Sequence, residues 1–294
     1  MTRPERPSTD SFSLISLIPF LLIAFGVAWG IIALFVFLPT QMASVFGELT
    51  GQHPLFYLAV YAPAIAALTL VLVRTGRSGG RRLLSRLLLW RTSWAWYAFL
   101  LIGIPLLFYA GALWKGLSPG ELVPVSAVGA YLLALALHAI KGPVEEIGWR
   151  GFLLPLLQRR MSPLAAGLVI GIIWGVWHLP AFFLSGTAHS AWSFTDFFVG
   201  TIALSLIATA LFNASKGSIL LPALFHLQVN NPLWPDAQPY DTIPFVAAAL
   251  VIVWLNRDSM LRKEGGLTEI IPTGDADEPA VTDVDRRSVS PSPA

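Results

Sequence analysis

Two adjacent carboxylates, Glu145 and Glu146, and a nearby arginine, Arg150, stand in the stretch from Gly142 to Arg160, GPVEEIGWRGFLLPLLQRR, inside a chain that is otherwise mostly apolar. Carboxylates are costly in or near hydrocarbon, so a pair kept there marks a candidate functional site with a partner to be found. The candidate partners are Arg150, His178 and His226. On a helix advancing about 100° per residue, Glu146 and Arg150 are one turn apart and nearly aligned, an i,i+4 pair able to neutralise itself. Glu145 points elsewhere and shares its face with Trp149, which leaves it as the carboxylate available to act on a water or a metal. Taken alone, the trio reads equally well as a surface salt-bridge cluster.

Further polar residues at membrane depth change that balance. His178 lies in SPLAAGLVIGIIWGVWHLP, where Gly167, Gly171 and Gly175 form a ridge of small residues that lets another helix approach closely. It falls seven residues after Gly171, about 20° off that ridge, and so faces a neighbouring helix. Arg159 to Pro163 reads as a cytoplasmic turn, with Pro163 suited to start the next helix. Glu145 precedes Met161 by sixteen residues and His178 follows Ser162 by sixteen. An antiparallel pair closed by that turn puts both at one level, about 24 Å from it. In NASKGSILLPALFHLQVN, His226 and Asn230 form another i,i+4 pair, whose bland alternative is an interhelical hydrogen bond. His138 is read as structural, and His53 and His189 fall in loops and receive no role.

The elements that must position these residues are apolar helices. With 55% hydrophobic residues, 12% charged and 11 tryptophans in 294 residues, the composition excludes a soluble globular domain. The expected fold is all-α, a polytopic transmembrane helical bundle of about eight spans near residues 16–38, 54–73, 94–114, 123–141, 163–185, 194–213, 217–231 and 242–256. The chain divides into a cytoplasmic N-terminal segment (1–15), N-terminal transmembrane helices with a basic loop (16–120), a core carrying the candidate site (121–258) and a disordered tail (259–294). Arg74, Arg77, Arg81, Arg82, Arg86 and Arg91 form a loop without an acidic residue, a positive-inside signal and not a nucleic-acid surface. Most other basic residues fall on the same side, so both termini are expected in the cytoplasm of a multi-pass protein of the plasma membrane. The absence of cysteine excludes disulfides, thiol catalysis and Cys-bound zinc. Gly142 and Pro143 are expected to break a helix that would otherwise run about 54 Å from Val123 to Gln158.

In order and spacing, the three motifs resemble those of the CPBP family, the CAAX proteases and bacteriocin-processing enzymes, also called type II CAAX prenyl endopeptidases or Abi proteins. Its EExxxR stands here as Glu145-Glu146-Ile-Gly-Trp-Arg150, its aromatic-xxx-His as Trp174-Gly-Val-Trp-His178, and its HxxxN as His226-Leu-Gln-Val-Asn230. The second has Trp where many members have Phe. The resemblance covers roughly residues 123–232, and the ordered triple is far more specific than EExxxR alone.

The resemblance implies peptide-bond hydrolysis within the membrane, on peptide or protein substrates of which prenylated CaaX termini are one class. Glu145 would be the general base, His178 would help to bind or activate the water, and His226 and Asn230 would stabilise the oxyanion. Glu146 and Arg150 would orient the Glu145 helix. The family is often labelled metalloprotease, and Glu145, His178 and His226 offer three ligands to a divalent metal such as zinc with water as the fourth, although HExxH is missing. A non-proteolytic scaffold or immunity factor and a proton-coupled transporter are the competing readings. Serine and aspartyl intramembrane mechanisms fare worse, for want of a serine loop and of paired aspartates in the spans. Oligomeric state is not encoded in these motifs.

Overall fold

The computed structural model describes residues 12–118, 128–184 and 187–272. Among these there is no β-strand, and the helices pack as a bundle around two apolar clusters. The N-terminal residues Arg3 and Arg6, the loop containing Glu121 and the last part of the tail lie outside the described residues.

Helix α1 (Leu17–Phe37) is followed by a short α2 (Pro39–Phe46) and by α3 (Pro54–Val60), which meets α4 (Ala62–Ser85) at a bend. The bend is 58°. Gly76 interrupts α4 with a φ of 65°, a left-handed conformation that glycine adopts without steric cost. Helix α5 spans Trp94–Lys115, α6 spans Val128–Ala139, and a broken helical run at residues 146–158, α7, carries the paired glutamates. After the turn come α8 (Pro163–Trp177), α9 (Phe194–Ala214), α10 (Leu220–Val229) and α11 (Thr242–Leu255).

Four helical stretches among the described residues are long and apolar enough to cross a membrane, or five if the bent α3–α4 pair is one span. These stretches make the chain an integral membrane protein. The eight spans expected from the sequence are thus not all of crossing length. Helix α10 has 10 residues and α11 has 14. At 1.5 Å per residue, a 10-residue helix covers about half of a hydrocarbon core. Helix α11 fills its expected span of residues 242–256 to within one residue, and α10 falls short of 217–231 at both ends.

The expected break at Gly142 and Pro143 is present, and it is more extensive than a kink. A 3-10 turn covers Gly142–Glu145, a single helical turn covers Glu146–Gly148, and a π-turn covers Trp149–Leu153 before the helix closes at Gln158. Pro155 cannot donate to the preceding turn, which suits a π-turn just before it. Gly148 sits against α4 so closely that a Cβ there would lie 2.4 Å from the Pro63 carbonyl oxygen.

The glycine ridge on α8 does what its spacing predicts. A Cβ at Gly171 would lie 2.7 Å from the Ile202 Cα, one at Gly175 2.5 Å from the Phe198 ring, and one at Gly167 2.9 Å from Thr209 Oγ1. Ser205 Oγ adds a 2.8 Å hydrogen bond to the Gly167 carbonyl across the same seam. Small residues here permit close backbone approach, the contact available to helices that share an apolar solvent. Ser162 caps α8 by accepting from the Ala165 amide, with Pro163 in the first turn as expected.

At the end of the bundle away from the site, buried Arg86 ties three segments together. Its Nη1 donates to the Gly217 carbonyl at 3.0 Å and its Nη2 to the Glu269 carbonyl at 2.6 Å, while its own carbonyl accepts from the Ile219 amide. Gln158 and Asn213 exchange hydrogen bonds with each other and with the backbone of Leu267. The chain from Leu267 to Ile271 is therefore anchored, and Ile270 and Ile271 are buried where the sequence suggested a solvated tail. Two isoleucines among polar residues were the available signal.

Candidate active site

The break before α7 delivers the two glutamates to different partners. Glu145, which is 3% exposed, accepts from Trp149 Nε1 at 3.1 Å and from Trp174 Nε1 at 2.8 Å, both at Oε2. The expected face shared with Trp149 is thus a hydrogen bond, and two indoles hold the carboxylate by one oxygen. Trp174 comes from α8, so this contact joins the first motif to the second.

Glu146 pairs with Arg150, whose Nη1 lies 3.1 Å from Oε1 and 3.0 Å from Oε2. The same Oε1 lies 2.8 Å from His226 Nδ1. One buried carboxylate therefore bridges Arg150 on its own run to the histidine of α10. The Arg150 guanidinium also lies over the Trp174 ring, 5.1 Å from its centroid. All three motifs meet through Glu146 and Trp174.

With Nδ1 engaged by Glu146, the other nitrogen of His226 is turned to Gly142 and Asn230. A Cβ at Gly142 would lie 2.7 Å from His226 Nε2 and 2.5 Å from Asn230 Nδ2. Gly142 is thus a space-holder that lets two polar side chains approach the 3-10 turn carrying Glu145. His178 closes α8, its Nδ1 lying 2.7 Å from the Trp174 carbonyl, so Nδ1 carries the proton and Nε2 keeps its lone pair.

Glu145, His178, His226 and Asn230 all line one cavity of about 450 Å³. Lys141 and His138 also line it, as do Ile32 of α1 and Phe56, Ala59 and Val60 of the α3–α4 elbow. The N-terminal helices, silent in the sequence about chemistry, thus build one wall. Trp29 Nε1 donates to the Trp177 carbonyl and Trp177 Nε1 to the Ala24 carbonyl, which fixes α1 against the end of α8.

His189, given no role from its loop position, is a residue of this site. Its ring stacks on His178 with centroids 5.7 Å apart and planes 26° apart, and Phe182, Trp192 and Phe197 pack around it. Burial, then the charge of Lys141, push His189 down to about 4. Nothing local to the loop announces this. By contrast His53 caps α3, accepting from the Leu55 amide, and His138 bonds the Ala134 carbonyl, so both fill backbone needs.

A metal ion fits this donor set poorly. Among the described residues no three His, Asp or Glu side chains gather closely enough to hold one, so the ligand trio Glu145, His178 and His226 is not assembled. Both indoles donate to Oε2 of Glu145, so its other oxygen is the one left to act.

Residues 127–231 match the family model described as type II CAAX prenyl endopeptidase Rce1-like. This segment is similar to the CAAX proteases. It spans the three motifs and the whole polar cluster around Glu146. A CAAX prenyl protease 2 of Methanococcus maripaludis is 28% identical over 136 residues, covering 42% of this chain and 50% of that protein. The chain thus covers about half the length of this curated relative of the CAAX protease family.

One further lining residue, Asp241, lies beyond the CAAX protease segment. Its Oδ1 is buried without a hydrogen-bond partner, and burial pushes the carboxyl up from 3.8 to about 6. The folded state therefore binds more protons than the unfolded state between those two values, and above about 6 the penalty is complete. Asp241→Asn should stabilise the detergent-purified protein at pH 8 by on the order of 2 kcal/mol, read as a raised thermal midpoint, with the gain vanishing below about pH 4. A gain that is the same at both pH values would assign it to packing and not to charge.

Proposed function

We propose that the protein is an intramembrane endopeptidase that hydrolyses peptide bonds of membrane-associated protein segments with a water activated by Glu145. The observation that carries this reading is the convergence of Glu145, His178, His226 and Asn230 on one cavity, with Glu146 and Arg150 behind them. The match of residues 127–231 to the CAAX protease model and the name of the Methanococcus relative support it, and a prenylated C-terminal peptide is one substrate class consistent with that name.

In this reading Glu145 removes a proton from a water held between it and His178 Nε2, and the water oxygen adds to the scissile carbonyl carbon. The carbonyl oxygen becomes an oxyanion facing Asn230 Nδ2 and the Nε2 side of His226. Asn230 donates from Nδ2 to the oxyanion, and His226, fixed at Nδ1 by Glu146, presents its Nε2 edge to it. Collapse of the tetrahedral adduct breaks the C–N bond, and the proton on Glu145 passes to the leaving amine. One water is consumed and one carboxylate and one amine are formed. The apolar wall and the two indoles keep other water away, which strengthens each of these interactions.

Gly142→Ala tests the placement of the donors without touching a charged group. Its methyl would push His226 Nε2 and Asn230 Nδ2 from the 3-10 turn, and kcat should fall about 100-fold with little change in thermal midpoint.

The reading itself is tested by incubating the purified full chain with a library of hydrophobic and prenylated peptides, with and without chelator, and detecting products by mass spectrometry. Cleavage at defined bonds is expected. Absence of cleavage together with Glu145-dependent solute flux in proteoliposomes would replace the peptidase by a proton-coupled transporter.

A further inference from the structure

The helices of this bundle run between two chemically different ends, and the cavity belongs to one of them. At one end lie Arg74, Arg77, Arg81 and Arg82 in the last turns of α4, Arg159 and Arg160 after α7, Lys216 after α9 and Arg257 after α11. These segments contact one another: Arg86 reaches Gly217 and Glu269, and Arg159 Nε donates to the Thr268 carbonyl. At the other end lie the loops that form the cavity, with two lysines, Lys141 in its lining and Lys115 bonded to the Asp236 carbonyl, against the eight basic residues of the first end. Gly51, Thr187 to His189, Trp192 and the segment from Asn230 to Asp241 all line it, and Ala188, Asn230 and Asp236 are exposed at its rim.

Each long element keeps this polarity. Helix α8 starts beside Arg160 and ends at His178; α9 starts beside the cavity-lining Phe197 and ends beside Lys216. Helix α10 starts on the Arg86 carbonyl and ends at Asn230, and α11 starts at Asp241 and ends beside Arg257. From Ser162 to His178 the climb is about 24 Å, most of a hydrocarbon core of about 30 Å. Exposed tryptophans mark both boundaries, Trp90, Trp94 and Trp254 at the basic end and Trp114 at the cavity end, where it packs on Tyr240.

Basic residues near span ends are retained on the cytoplasmic side. We infer that the mouth of the cavity faces away from the cytoplasm, and that its occupant is an extended peptide segment presented at the outer surface of the membrane. This rests on the peptidase reading for its substrate but not for its sidedness. A peptide terminus presented at the cytoplasmic surface would meet the closed basic end, where α7, α9 and the segment after Gly265 are knitted together by Gln158 and Asn213. The substrates consistent with this geometry are exported or membrane-anchored polypeptides with an unfolded stretch just outside the bilayer.

The chain has no cysteine, so single cysteines report sides without background. Ser190 is exposed beside His189, and Ser78 is exposed in the arginine-rich segment. In intact cells producing the full chain, a membrane-impermeant maleimide should label Ser190→Cys and leave Ser78→Cys unlabelled until the membrane is permeabilised; inverted vesicles should give the reverse. A soluble, impermeant peptide that the purified protein cleaves should be cleaved at least about tenfold faster by right-side-out than by inverted vesicles, the difference vanishing in detergent. Labelling of Ser78→Cys in intact cells, or faster cleavage by inverted vesicles, overturns the inference. Labelling as expected with no cleavage in detergent would uphold the sidedness and refute the peptidase reading instead.

Discussion

Glu145→Gln should leave a folded protein that still binds peptide and turns it over about a thousandfold more slowly, the span associated with loss of a positioned general base. The amide keeps the shape of the carboxylate and can still accept from Trp149 and Trp174 through its oxygen, so the indole contacts that locate it survive. What it loses is the ability to take a proton. The measurement is kcat against KM on one cleaved peptide, with the thermal midpoint as control for folding. An unchanged KM with kcat collapsed assigns the loss to chemistry. A thermal midpoint lowered along with kcat would mean that Glu145 acts through packing, because its burial among two tryptophans would then be the whole of its role.

Arg150→Met should be the most destabilising single change in the cluster, costing about 3–5 kcal/mol, because it strands the buried Glu146 carboxylate. Arg150 is 0% exposed, and its guanidinium also packs on Trp174. Lysine should not restore it, since an ammonium reproduces neither the fork nor the stacking on the indole. Adding Glu146→Gln to Arg150→Met removes the stranded charge and should recover much of the stability. Activity should stay low in the double variant, because His226 would still lack the carboxylate that orients its Nδ1. Thermal midpoints and cleavage rates of the two single variants and the double variant, compared as a cycle, separate these effects. Recovery of both together would show that Glu146 and Arg150 serve stability alone.

Much of the site was readable because it is written in local spacing. The Glu146–Arg150 pair and the Glu145–Trp149 contact are i,i+4 relations, and they survive although the run is part 3-10 and part π instead of a regular helix. The ridge of Gly167, Gly171 and Gly175 is likewise local, since it needs only the period of one helix. The turn at Ser162 and Pro163 set Glu145 and His178 level by count, and α8 meets Glu145 through Trp174, one turn before His178.

What could not be read depends on which helix lies beside which. The Glu146–His226 contact joins residues 80 apart in sequence and needs α10 to end beside α7. His189 reaches His178 only because its loop folds back over the cavity, and loops carry no period from which to infer direction. The contribution of α1 and the α3–α4 elbow to the cavity was hidden because apolar lining residues look the same as lipid-facing ones in a membrane chain. Span bounds were legible at α11, which fills the expected 242–256 to within a residue, and less so at α10, which Asn230 closes at the cavity after 10 residues.

The most direct measurement is cleavage of a single peptide in water enriched in oxygen-18 by wild type and by Glu145→Gln, both in the presence of chelator. The expected result is one heavy oxygen in the newly formed C-terminal carboxylate of the wild-type product, and a rate about a thousandfold lower with the variant. Equal rates for the two proteins would contradict the assignment of Glu145 as the base, and no product from either would contradict the peptidase itself.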